Sequence, residues 1–92
     1  MIYTVLISAK AEADILKLRK AGERGVLRKI DALLKELENH PTTGTGHPEP
    51  LSGDRTGQWS RRITQKHRLV YQIDESRVIV LVLSAYGHYN EK

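Results

Sequence analysis

The stretch Trp59-Ser60-Arg61-Arg62-Ile63-Thr64-Gln65-Lys66-His67-Arg68-Leu69-Val70-Tyr71 decides how this chain folds. Two apolar anchors, Trp59 and Tyr71, enclose five basic or imidazole side chains, with a polar break at Thr64-Gln65-Lys66. With a period of two, Trp59, Arg61 and Ile63 share one face of a strand, and Ser60 and Arg62 the other. Beyond the break, Leu69, Tyr71 and Ile73 form an apolar face, while Arg68, Val70 and Gln72 point the opposite way. Matching the two apolar faces sets Ile63 near His67 and Arg62 opposite Arg68, and leaves a three-residue hairpin loop, a common length. Two guanidiniums then stand side by side on the open face of a sheet, where like charges repel. Either an anion lies between them, since the planar Arg fork suits phosphate oxygens, or one arginine pairs with Glu49, Asp54 or Glu75 and the other is solvated. The stretch alone leaves both readings open.

Towards the N-terminus, Ile2–Ile7 is rich in β-formers and ends at Ser8, a good helix N-cap, with Glu12 and Asp14 near the first turns to complement the dipole. Ala9 to about Ala21 reads as a helix with Ala11, Ile15 and Leu18 as its apolar stripe and Gly22 as its stop. The strongest periodicity follows: Val26, Leu27, Ile30, Leu33, Leu34 and Leu37 recur every three or four residues until Asn39 and Pro41. The short Gly-containing loop between the two helices predicts an antiparallel helical hairpin packed on a sheet.

From Asn39 to Gln58 the composition changes, and all three prolines and four of the seven glycines fall here. Within this segment, read as a loop, Glu49 stands between Pro48 and Pro50, so its backbone is stiffened towards extended geometry and its carboxylate is preorganised. The plainer reading is an ordinary exposed acid. After the central hairpin, Asp74-Glu75-Ser76 makes a turn, and Arg77 to Leu83 is apolar on both faces, as an inner strand should be. The order β-α-α-β-β-β predicts an α+β fold, a helical hairpin on one face of a mainly antiparallel sheet, with residues 1–92 as one domain.

Fifteen Lys and Arg against eleven Asp and Glu leave a net charge of +4, which suits a polyanionic partner. There is no cysteine, so disulfides and thiolate metal sites are excluded. The longest apolar run, Val78–Leu83, has six residues, against the roughly 20 that span a bilayer. With no basic region ahead of the first apolar stretch, the chain reads as lacking a signal peptide and as cytoplasmic.

The side chains placed to do chemistry on the open side are Glu49, Arg62, Arg68, His88 and Tyr89. Such a set suits cleavage of RNA without a metal or other cofactor. RNA carries its own nucleophile, the 2′-OH, so the protein must supply a base for its proton, an acid for the leaving 5′-oxygen, and cations for the phosphorane. Glu49 fits the base, His88 the acid and the arginines the clamp. Tyr89 and Trp59 could stack on unpaired bases, although Trp59 falls on the apolar face and reads first as core. His67 suits a structural or phosphate-facing role, and Arg55 and Arg61 are further candidates for substrate contact. His40 and His47 lack the companions that a metal site needs.

Pro48-Glu49-Pro50-Leu51, Gly57-Gln58-Trp59-Ser60-Arg61-Arg62-Ile63, His67-Arg68-Leu69-Val70-Tyr71 and Gly87-His88-Tyr89 together closely resemble the YoeB/Txe branch of the RelE toxin superfamily. The resemblance implies a ribosome-dependent mRNA endoribonuclease of a bacterial type II toxin–antitoxin pair, cutting in the A site to leave a cyclic or 3′-phosphate and a 5′-hydroxyl. It implies Glu49 as base, Arg68 as phosphate ligand, His88 as acid, Tyr89 beside it and Arg62 in support. It also implies a cognate antitoxin that folds on binding, and a dimer or toxin–antitoxin hetero-oligomer. Two departures stand out: Ser52 occupies the place of a frequent lysine, so that one phosphate contact is either missing or supplied by Arg55, and Asn90-Glu91-Lys92 extend past the usual terminal tyrosine. The competing readings are a non-catalytic gyrase inhibitor on the same fold, as in the ParE relatives, and a plain RNA-binding module. The Glu/Arg/His set argues against the first, and a dependence on Glu49 would argue against the second.

Overall fold

A computed structural model describes residues 2–87 and contains two helices on a five-stranded sheet. The elements run β1 (Thr4–Ile7), α1 (Ala9–Lys20), α2 (Arg24–Asn39), β2 (Glu49–Pro50), a 3₁₀ turn (Gly53–Arg55), β3 (Gln58–Arg62), β4 (Arg68–Asp74) and β5 (Ile79–Ser84). In space the strands lie in the order β1-β5-β4-β3-β2. All neighbours are antiparallel except β1 and β5, so the sheet is mixed. This is the α+β architecture expected, with one strand more, because the Pro-Glu-Pro segment pairs at the sheet edge instead of remaining loop. An edge accommodates it because a proline that cannot donate to a ladder needs only one bonded side.

Local chemistry sets the ends of the helices. The Ser8 hydroxyl caps α1 by accepting from the Ala11 N–H at 3.1 Å and donates to the Leu83 carbonyl, tying the cap to β5. Gly22, at φ 75°, then supplies the left-handed turn that reverses the chain into α2. Helix α2 buries Ile30, Leu33 and Leu37, and α1 buries Ala11 and Leu18, against Ile63, Leu69, Tyr71, Val80 and Val82 of the sheet side. The inner position expected for the last strand is found, since β5 lies between β1 and β4. It starts at Ile79 rather than Arg77: the Asp74 carboxylate accepts from the Arg77 N–H, and Val78 sits at φ 57°, which extends the turn by two residues. No helix among the described residues is long and apolar enough to cross a membrane.

The register of the central hairpin is the one that alternation required. Trp59 pairs with Tyr71, Arg61 with Leu69 and Arg62 with Arg68, and the Ile63 N–H donates to the His67 carbonyl at 2.9 Å. With both helices on one side, the opposite face of β2, β3 and β4 carries Glu49, Ser60, Arg62 and Arg68.

Candidate functional site

Cross-strand pairing gathers the open-face cluster. Glu49 on β2 lies opposite Ser60 on β3, and Arg62 on β3 lies opposite Arg68 on β4, so four side chains from three strands project to one side. Arg68 Nη1 stands 3.5 Å from Glu49 Oε1 and donates to Ser60 Oγ at 3.3 Å. The Arg68 side chain is 15% exposed and the Glu49 carboxylate 50% exposed. The guanidinium is therefore seated on the sheet while the carboxylate remains open to an incoming molecule. Arg62 is exposed beside them. Of the two readings of the arginine pair, the ion pair with Glu49 is realised for Arg68, so the open face carries a carboxylate against a seated arginine whose cross-strand partner is the exposed Arg62. That carboxylate can accept a proton on the face that carries two forks matching phosphate oxygens.

Arg61, expected among the substrate contacts, lies on the other face and is 0% exposed. Its Nε donates to the Tyr71 hydroxyl at 3.1 Å and its Nη1 to Glu36 Oε1 at 2.7 Å. The same guanidinium donates to the backbone carbonyls of His40, Thr43 and Thr45. All five acceptors belong to the protein, so Arg61 is a buried fastener and not a substrate ligand. The correction follows from alternation: between Trp59 and Ile63 the core face was its only place, and Glu36 on α2 is the partner that lets a charge lie there. Glu36 also accepts from the Thr45 N–H and hydroxyl, and that hydroxyl contact, followed by the Thr45 amide and Arg61, holds its carboxyl below the usual carboxylate range. Burial pushes the Tyr71 phenol upward, against the opposing pull of Arg61. The Tyr71 hydroxyl in turn donates to the Pro41 carbonyl at 2.7 Å.

His67 is buried, with its Nδ1 accepting from the Gly87 N–H at 2.8 Å and its ring 4.7 Å from that of Tyr86. Of the two roles open to it, this arrangement is the structural one, because the ring nitrogen holds the chain just before His88. Arg68 contributes again through its backbone, donating its N–H to the Gly87 carbonyl. Asp14, buried on α1, fastens the same segment by accepting from the Ala85 N–H at 3.0 Å while paired with Lys10. His88 and Tyr89 themselves lie outside the described residues. Arg55 ends the 3₁₀ turn that follows β2 and donates to Gln58 Oε1, downstream of Glu49 along the same edge. Trp59 is partly buried and packs against the core, as its place on the apolar face required. Among the described residues, no three His, Cys, Asp or Glu side chains come together as a metal site.

Reading by residue type missed Glu36, Asp14 and Ser60. Nothing in the spacing of Glu36 or Asp14 marks them, but Ser60 was placed on the open face by the same alternation that placed Arg62.

A helical hairpin covering one face of a mixed sheet is the fold of the bacterial YoeB/ParE-type toxins. Residues 8–89 match the model of the YoeB-like toxins of bacterial type II toxin–antitoxin systems, and the chain belongs to that family. It is 44% identical over 69 residues to toxin YoeB of Mycobacterium bovis, spanning 75% of this chain and 79% of the relative. Among solved structures, the YoeB/ParE toxin from Agrobacterium tumefaciens superposes with a TM-score of 0.86 at 32% identity, over 94% of this chain and 99% of that one. YoeB from Staphylococcus aureus, solved as a dimer, gives a TM-score of 0.81 at 32% identity, over 97% of this chain and all of that one. The same S. aureus protein has also been solved in a heterotetrameric complex with the antitoxin YefM, with a TM-score of 0.79.

Proposed function

We propose that this toxin is a ribosome-dependent mRNA endoribonuclease. The observation that carries the reading is the open-face cluster, in which the Glu49 carboxylate borders Arg68 with Arg62 alongside. A base on the same face as two phosphate-binding forks is what cleavage of RNA by its own 2′-OH requires. In that reaction Glu49 takes the 2′-OH proton as the 2′-oxygen attacks phosphorus. Arg68 and Arg62 neutralise the charge gathering on the non-bridging oxygens. The P–O5′ bond breaks, and the 5′-oxygen takes a proton from His88, the acid by resemblance, with Tyr89 beside it. The products are a 2′,3′-cyclic phosphate and a 5′-hydroxyl, and no metal or cofactor enters. Each proton transfer contributes roughly 10²–10⁴-fold.

Arg55, on the chain that follows Glu49, stands in for the lysine that Ser52 replaces. The dimer and the YefM complex of the S. aureus relative support a cognate antitoxin and a dimeric or hetero-oligomeric state for this chain, acting in the cytoplasm where ribosomes and mRNA are found. The test is to map mRNA 5′ ends in an in vitro translation reaction, comparing wild type with Glu49→Gln. Cuts within A-site codons that vanish in the variant and in the absence of ribosomes are expected. Intact mRNA with unimpaired translation would overturn the reading, and inhibition of gyrase supercoiling would then be measured.

A further inference from the structure

Glu49 sits on a strand that is poorly equipped to hold it. Strand β2 has two residues, and neither Pro48 nor Pro50 has an N–H to give to the ladder. Downstream, the Leu51 N–H reaches the Gln58 carbonyl at 2.9 Å. Upstream, the chain from His40 to Gly46 is fixed by contacts other than regular pairing: Glu36 holds Thr45, the Tyr71 hydroxyl holds the Pro41 carbonyl, and two consecutive residues of β3 hold further carbonyls. Arg61 collects the carbonyls of His40, Thr43 and Thr45 on one guanidinium, and the Arg62 N–H donates to the Gly46 carbonyl at 2.7 Å.

The fit is close. Gly44 and Gly46 have φ of 114° and 87°; a Cβ on Gly44 would fall on Glu36 Oε1 and 3.2 Å from Arg61 Nη1, and one on Gly46 would lie 2.8 Å from the Arg62 carbonyl. The loop is thus drawn onto Arg61 at backbone distance, two residues before Pro48-Glu49.

We propose that Arg61 is a positioning residue for RNA cleavage, which sets the place of Glu49 by fastening the carbonyls of His40, Thr43 and Thr45. The inference rests on Glu49 being the base. It divides the neighbouring arginines by role: Arg62 faces the open side, and Arg61 acts through the loop from the buried side. Arg68 and Arg62 sit on β4 and β3, which do not depend on this loop for their pairing, so loosening it should leave phosphate binding intact while the base drifts. A displacement near 1 Å in a reacting group can cost about 10²-fold in rate.

The test uses the full chain with mRNA-programmed ribosomes and four variants, read by kcat and KM separately. Arg61→Lys keeps a buried cation but cannot span the three carbonyls. Tyr71→Phe keeps Arg61 and removes its Nε acceptor and the hydroxyl bound to Pro41, a change the phenyl ring accommodates in the same packing. Leu33→Ala is destabilised in the core without removing any hydrogen bond to the loop, and serves as the control for stability alone. Glu49→Gln reports on the underlying reading.

Arg61→Lys and Tyr71→Phe are expected to lower kcat by roughly 10- to 100-fold with KM within about two-fold of wild type, while Leu33→Ala keeps the wild-type kcat at a temperature where it is folded. If Arg61→Lys does not fold, Tyr71→Phe decides. Wild-type kcat in the folded loop variants, with Glu49→Gln inactive, overturns the positioning role and leaves the base assignment standing. A drop in Leu33→Ala matching that of the loop variants also overturns it, since stability would then explain the loss. Full cleavage by Glu49→Gln removes the base assignment, and this inference falls with it.

Discussion

Replacing Arg61 by Met separates two accounts of the buried guanidinium. Arg61 is 0% exposed, but the side chain of its partner Glu36 is 31% exposed and also bonded to Thr45, so removing the arginine does not strand a carboxylate in the core. The loss falls on the carbonyls of His40, Thr43 and Thr45 and on the Tyr71 hydroxyl. An acceptor left without a donor costs up to ~1–3 kcal/mol where it is shut off from water. His40, Thr43 and Thr45 are surface residues whose contacts to Arg61 are partly buried, so each counts towards the lower end, and relief from dehydrating the guanidinium offsets part of the sum. A net loss of about 3 kcal/mol is expected, a large share of the 5–15 kcal/mol typical of a domain. With an m-value of about 1.5 kcal/mol/M, the urea midpoint falls by about 2 M at unchanged m. Glu36→Gln keeps an oxygen for Thr45 and leaves all three carbonyls in place, so it should cost about 1 kcal/mol or less. Both variants are measured in a Glu49→Gln background, which removes the proposed activity at an exposed position. Equal losses for Arg61→Met and Glu36→Gln would refute the reasoning, since the ion pair would then be the anchor. A loss below about 0.5 kcal/mol for Arg61→Met would also refute it, by placing the carbonyls in contact with water.

Two further outcomes follow from the same contacts. The folded-state pKa of Glu36 is lowered by Thr45 and Arg61, so its contribution is fully present above the ordinary carboxylate value and is lost as pH falls through the lowered one; acid titration of unfolding stability should show this limb in the parent and a shallower one in Glu36→Gln. Asp14→Ala removes the acceptor of the buried Ala85 N–H, so stability should fall by ~1–3 kcal/mol with faster hydrogen exchange at the Ala85 amide, whereas Asp14→Asn retains most of both.

The central hairpin was legible because its two sides differ in chemistry. With a period of two and one apolar face, only one register buries Trp59, Ile63, Leu69 and Tyr71 together, and that register carries Arg62 to Arg68. The helices were legible for a similar reason, since an apolar stripe at three- and four-residue spacing has one way to face a core. The parallel pairing of β1 with β5 was not, because Thr4 meets Ile79 across 75 positions and no local pattern encodes that meeting. Strand β2 was hidden by its prolines, which mark a turn as readily as an edge. Asp14 looked like a charge for the helix dipole, and its amide partner Ala85 became visible only once the end of β5 was folded against α1. Glu49 and Arg68 were brought together as their residue types suggested, whereas Arg61 was drawn to the wrong face by its charge against the alternation that placed it correctly.

That error bears on how the site is built. A slip of β3 by one residue against the core would exchange the two arginines, exposing Arg61 and pressing Arg62 into the apolar face. Trp59 and Ile63 oppose the slip by burial alone, and burial is tolerant of shape. The Arg61 guanidinium opposes it more sharply, because its five acceptors on α2, β4 and the His40–Thr45 loop meet it only in the native register. The same register places Arg62 across from Arg68 and Ser60 across from Glu49, which is the open-face cluster itself. The buried arginine and the exposed one are therefore linked by a single peptide bond and a single alternation. What fixes the charge inside the protein also decides which charges stand outside it.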